Sequence, residues 1–70
     1  MKIQIKERLR ELRSEECETQ VQVAEDIGIL EQQYQKYERG ASIPGVEILW
    51  KLADHFGVTV DYLIGRSDQR

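Results

Sequence analysis

Gln32, Gln35, Lys36 and Arg39 cluster on one side of a short segment when it is wound at about 100° per residue. A carboxamide can pair with the edge of adenine through two hydrogen bonds, and Lys or Arg can bind guanine or a phosphate. That side carries amides and cations and no carboxylate. Leu30, Tyr34 and Tyr37 recur at i, i+4 and i+7 and are expected to face inward. Gln32 and Lys36 are therefore candidate base readers, with Gln33 and Glu31 at the flanks.

The stretch Thr19–Gly40, TQVQVAEDIGILEQQYQKYERG, must position that face. Thr19 and Gln22 stand at capping-box spacing and start a first helix. Val23, Ala24 and Ile27 give it one apolar face, and Gly28 supplies a stop. After a short apolar turn at Ile29 and Leu30, a second helix fits Glu31 to Arg39 and ends at Gly40. Two short helices with a tight turn and a polar second face have the layout of a helix-turn-helix DNA reader. Gln20, in the first turn of the first helix, is a candidate phosphate ligand beside free backbone N–H groups.

The flanking elements follow the same logic. Lys2 to Glu16 reads as an amphipathic helix with Ile5, Leu9 and Leu12 toward a core. Lys2, Lys6, Arg8 and Arg10 read either as neighbours of a phosphate backbone or, for most of them, as the solvated side. Arg13 lies at the margin of the apolar stripe, and Glu38 lies on the inward side of the polar helix, where a carboxylate needs a partner. The loop GASIPG follows Gly40, with Arg39 and Ser42 as candidate phosphate contacts.

Val46 to Phe56 forms a fourth helix, with Val46, Leu49, Leu52, Ala53 and Phe56 as its buried stripe and His55 facing outward. Trp50 is half-exposed in projection and reads either as a core-edge aromatic or as a subunit contact. Thr59 caps a short fifth helix through Ile64. Val58 and Leu63 pack inward, whereas Val60, Tyr62 and Ile64 exceed what so short a turn buries and suggest a partner surface. One domain over residues 1–65 and a frayed polar tail over 66–70 are expected.

Composition bounds the function classes. Seventy residues make one small domain that buries only about 60% of its unfolded surface. No apolar run approaches the roughly 20 residues of a membrane helix, so no membrane role and a cytoplasmic location are expected. Thirteen acidic against ten basic residues give a net charge of −3, which suits nucleic acid only if the acids lie away from the reading face. Cys17 is the sole cysteine and His55 the sole histidine, so neither a disulfide nor a metal site is expected. There is no Ser, His and Asp constellation and no glycine-rich phosphate loop, so the sequence does not read as an enzyme and implies neither cofactor nor small-molecule ligand.

The pattern TQ…VAEDIG…YQKYERG followed by P…LWKLADHFGVTVDYLIG resembles the Xre family of lambda-repressor-like helix-turn-helix domains, the Cro and phage-repressor type. The likeness runs from about Ile5 to Gly65. It implies an all-α, five-helix domain, usually a homodimer on a palindromic operator in double-stranded DNA, acting in transcription regulation. It also implies that Arg13 and Glu38 form a structural ion pair, and that the fifth-helix end is used in dimers.

Several residues depart from the family pattern. Cys17 stands where Gly is common, Glu18 where an apolar residue anchors the turn, and Leu30 where Ser or Thr caps the reading helix. Tyr34 replaces Ile or Val and is expected to keep its hydroxyl at the edge. Glu31 takes a position that often carries a polar or basic reader; it either accepts from cytosine N4 or repels phosphate. The acidic balance, Leu30 and Glu31 sustain a rival reading: a protein-interaction module, such as an antitoxin or anti-repressor partner, that keeps the fold with weakened DNA reading.

Overall fold

The computed structural model describes residues 4–70. Within them the chain forms α1 (Ile5–Glu15), α2 (Gln20–Ile27), α3 (Glu31–Arg39), α4 (Val46–Phe56) and α5 (Val60–Ile64), with no strand. Lys2, the expected start of the first helix, lies outside the described residues. The apolar stripes of all five helices meet in one core, where Leu9, Val23, Tyr34, Leu52 and Leu63 are almost wholly buried. Helix α3 packs against α1 and α2, α4 against α2 and α5, and α5 returns to α1, where the Gln4 N–H donates to the Ile64 carbonyl at 3.1 Å.

Local signals set the helix ends. Thr19 Oγ1 accepts from the Gln22 N–H at 3.1 Å and Gln22 Oε1 accepts from the Thr19 N–H at 2.8 Å, the reciprocal pair of a capping box. Thr59 Oγ1 likewise accepts from the Tyr62 N–H. Gly28 and Gly40 close α2 and α3 with φ of 78° and 76°, in the left-handed region where a side chain is costly. Cys17 enters the same region at φ 55° without being glycine, so the turn keeps the conformation at the expense of strain.

Several expectations are corrected. Leu30 is 72% exposed and Val46 is 81% exposed; they are the N-cap of α3 and the first residue of α4, beyond the reach of the packed stripe. Tyr34 is fully buried, hydroxyl included, and that hydroxyl has no hydrogen-bond partner among the described residues. Tyr62 is only 3% exposed and donates its hydroxyl to Glu11 Oε1 at 2.7 Å, so it is not free for a dimer, while Ile64 is half-buried against the core. The tail folds back on α1: Arg8 and Arg70 stack on Tyr62 at 4.0 and 5.2 Å, Asp68 pairs with Arg8 at 2.9 Å, and Arg70 pairs with Glu15 at 2.5 Å. His55 does not face solvent.

The ring of His55 is held between two carboxylates, Nε2 at 2.8 Å from Glu18 Oε1 and Nδ1 at 2.5 Å from Asp26 Oδ2. Burial opposes its charge, but the hydrogen bonds to Asp26 and Glu18 outweigh burial and raise its pKa above the usual histidine value. Glu18 therefore braces the turn although it is not apolar. Its side chain ties α4 to the turn before α2, and its carbonyl accepts from Arg13 at 3.0 Å.

Candidate nucleic-acid interface

Helix α3 presents Glu31, Gln32, Gln33, Lys36 and Arg39 to solvent. Its opposite side is anchored by Tyr34, Tyr37 and Glu38, all buried. Glu38 is 2% exposed, and a carboxylate so placed must be matched. Arg13 matches it through two bonds, Nε to Oε2 at 2.6 Å and an Nη to Oε1 at 3.0 Å. This planar fork ties α1 to α3. Burial pushes the Glu38 pKa up, yet the hydrogen bonds, Arg13's foremost, outweigh it and hold the pKa below the usual value.

Gln20 is half-buried and its side chain is directed into this network. Its Nε2 donates to Glu38 Oε1 at 3.1 Å, and its Oε1 accepts from Gln35 Nε2 at 3.4 Å. One side-chain proton and the backbone N–H groups at the start of α2 are what Gln20 retains for a phosphate. Gln35 also donates to Glu31 Oε2 at 3.2 Å, which links the buried ion pair to the exposed first turn of α3. The 100° projection put Gln35 on the outer side; its half-burial comes from α2 lying alongside. Gln33 Nε2 donates to the Tyr37 hydroxyl at 2.8 Å, so its amide is partly turned along its own helix.

Ser42 is exposed and borders a shallow cavity with Ile5, Lys6, Tyr37, Gly40 and Ile43. The stem of Lys6 crosses Gly40 so closely that a Cβ there would approach its Cδ at 3.0 Å. Lys6 thus joins Lys36 and Arg39 at the C-terminal end of α3, a placement that helical periodicity within α1 could not reveal. The acids Glu25, Asp26 and Asp54 line a separate cleft between α2 and α4 with His55 and Lys51. Glu11, Glu15 and Asp68 are paired with arginines along α1. Trp50 is 66% exposed, one turn along α4 from Val46.

A protein-family model described as Helix-turn-helix matches residues 18–63. The chain belongs to the helix-turn-helix family. It is 44% identical over 64 residues to the cryptic phage CTXphi transcriptional repressor RstR of Vibrio cholerae, covering 91% of this chain and 57% of that protein. The HTH-type transcriptional regulator AnsR of Bacillus subtilis is 39% identical over 64 residues, with 91% of this chain and 55% of that protein covered. The chain spans about half the length of the curated relatives it matches. Among solved structures, a transcriptional regulator from Listeria innocua superimposes with a TM-score of 0.87 at 29% identity, over 93% of this chain and 61% of that one. The P22 c2 repressor in complex with a synthetic operator shares the fold, with a TM-score of 0.85 at 24% identity, over 90% of this chain and 96% of that one.

No helix among the described residues is long and apolar enough to cross a membrane, and no group of His, Cys, Asp and Glu there could hold a metal ion.

Proposed function

We propose that this domain binds double-stranded DNA sequence-specifically and acts as the DNA-reading part of a transcriptional repressor. The observation that carries the reading is the exposed face of α3. It holds Gln32, Gln33, Lys36 and Arg39 outward while Glu38 is locked to Arg13 behind them. A reader must keep its donors and acceptors in fixed register with base edges, and the buried fork supplies that rigidity. Gln32 and Lys36 read bases in the major groove, with Gln33 and Glu31 at the flanks. Arg39, Ser42, Lys6 and the free proton of Gln20 hold phosphates.

The functional unit is a homodimer on a palindromic operator, its two α3 helices entering successive major grooves roughly 34–36 Å apart. With Tyr62 buried and Ile64 half-buried, Trp50 and Val46 on α4 are the apolar side chains we assign to the subunit contact, with Val60 and Ile64 as lesser candidates. The exposure of Trp50 and Val46 also keeps the protein-partner reading in view.

Selection from a random duplex library, followed by titration of the winning site at two salt concentrations, tests the proposal. A palindromic winner whose affinity falls steeply with salt is expected, because each neutralised phosphate releases counterions. Absence of enrichment would transfer the function to a protein partner.

A further inference from the structure

We infer that the first turn of α3 faces a base bearing an exocyclic amino group, cytosine foremost, and that Glu31 selects it. This rests on the DNA-reading role proposed above and sharpens it. Both oxygens of Glu38 are occupied by Arg13, and Oε1 also receives the Gln20 Nε2. A carboxylate only accepts, so Gln20 must present its NH2 to Glu38 and its oxygen to Gln35. That oxygen in turn fixes the Gln35 amide with its NH2 inward, donating one proton to Gln20 and the other to Glu31 Oε2. The two amides therefore carry a fixed orientation from the buried ion pair to the exposed tip of the helix.

The outcome is a polarised reading face. At its N-terminal end the Glu31 carboxylate, which only accepts, stands beside the amides of Gln32 and Gln33, which can donate or accept. Its C-terminal end offers only donors, Lys36 and Arg39. Glu31 lies in the first turn, where the helix dipole favours its charge. An oriented carboxylate there rejects the acceptor edges of guanine and thymine. Cytosine shows only its N4 amino donor, whereas adenine sets its N6 donor beside the N7 acceptor, which repels a carboxylate. Glu31 is thus a specificity-determining residue, and Gln35 is a positioning residue that acts through it.

The test uses the duplex selected by the wild-type chain and single-base-pair variants of it, titrated with the wild-type chain, Glu31→Ala, Glu31→Gln and Gln35→Leu. Wild type should prefer cytosine at one pair in each half-site by roughly tenfold. Glu31→Ala should abolish the preference at that pair alone, and Glu31→Gln should move it toward adenine. Gln35→Leu should weaken it several-fold while leaving the pair read by Gln32 unchanged, a pattern that general loosening of the fold would not give. Identical base profiles for wild type and Glu31→Ala overturn the inference while leaving DNA reading intact. Failure of the wild-type chain to enrich any duplex overturns both.

Discussion

Replacing Arg13 by Met retains most of the stem volume but leaves the Glu38 carboxylate buried with Gln20 as its remaining strong donor. Removing one partner of a buried ion pair costs about 3–5 kcal/mol. Because the Arg13 side chain is 26% exposed, the lower figure of about 3 kcal/mol is appropriate. A domain of this size holds only about 0.05–0.15 kcal/mol per residue, roughly 3.5–10 kcal/mol in all. The loss is therefore a large share of the total, and the melting temperature should fall by about 12–24 °C, at 4–8 °C per kcal/mol.

Two further results follow from the charge of Glu38. Its pKa is held down in the wild type, so its contribution is full above the usual carboxylate range and lost as pH falls through its folded value. In Arg13→Met, burial dominates and the carboxyl takes up a proton more readily, so the deficit should shrink between pH 7 and pH 5. The double variant Arg13→Met/Glu38→Leu should recover most of the loss, since an apolar pair replaces a charged one without leaving an orphan. Urea unfolding followed by circular dichroism at the two pH values reads all of these. A cost for Arg13→Met below about 1 kcal/mol, or a double variant no more stable than the single, would refute the reasoning.

Other perturbations have equally definite outcomes. His55 carries a raised pKa, so its clamp stabilises fully below the usual histidine value and is lost as pH rises through the folded value. Melting temperature should therefore decline across that window in the wild type and not in His55→Gln. Cys17→Gly should stabilise by about 0.5–1 kcal/mol in urea unfolding, relief of left-handed strain of about 1–2 kcal/mol exceeding the added chain entropy. Thr19→Ala should cost about 1 kcal/mol by the same measurement, because it removes the Oγ1 that accepts from the Gln22 N–H while the residue-19 N–H can still donate to Gln22 Oε1. Trp50→Asp should leave the fold intact and lower affinity for a full palindrome more than for a half-site, as read by gel shift on both duplexes.

The helix limits of α2 to α5 were legible because their signals are local: Thr19 and Thr59 at the starts, Gly28, Gly40, Gly57 and Gly65 at the stops. The inward residues of helix interiors, such as Leu9, Val23, Tyr37 and Leu52, followed from periodicity for the same reason. Periodicity failed at element ends. Leu30 and Val46 fit their stripes by angle, but no neighbouring helix reaches them.

It failed again where distant charges decide burial. Tyr62 looked surplus to a five-residue helix until Arg8, Glu11 and Arg70 closed over it. His55 projected outward, yet Glu18 and Asp26 from the preceding turn and α2 cover it. Within the candidate site, the exposure of Gln32, Lys36 and Arg39 could be read from one helix alone. The tie from Glu38 through Gln20 and Gln35 to Glu31 could not, because it crosses from α3 to α2 and back.

In the proposed function the exposed face of α3 reads base pairs. Its most direct test is the affinity of Gln32→Ala for the duplex selected by the wild-type chain, measured against a panel of single-base-pair variants of that duplex. A loss of about 1–3 kcal/mol on the parent site and relaxed preference at one base pair per half-site are expected. An unchanged affinity and an unchanged base profile would contradict it.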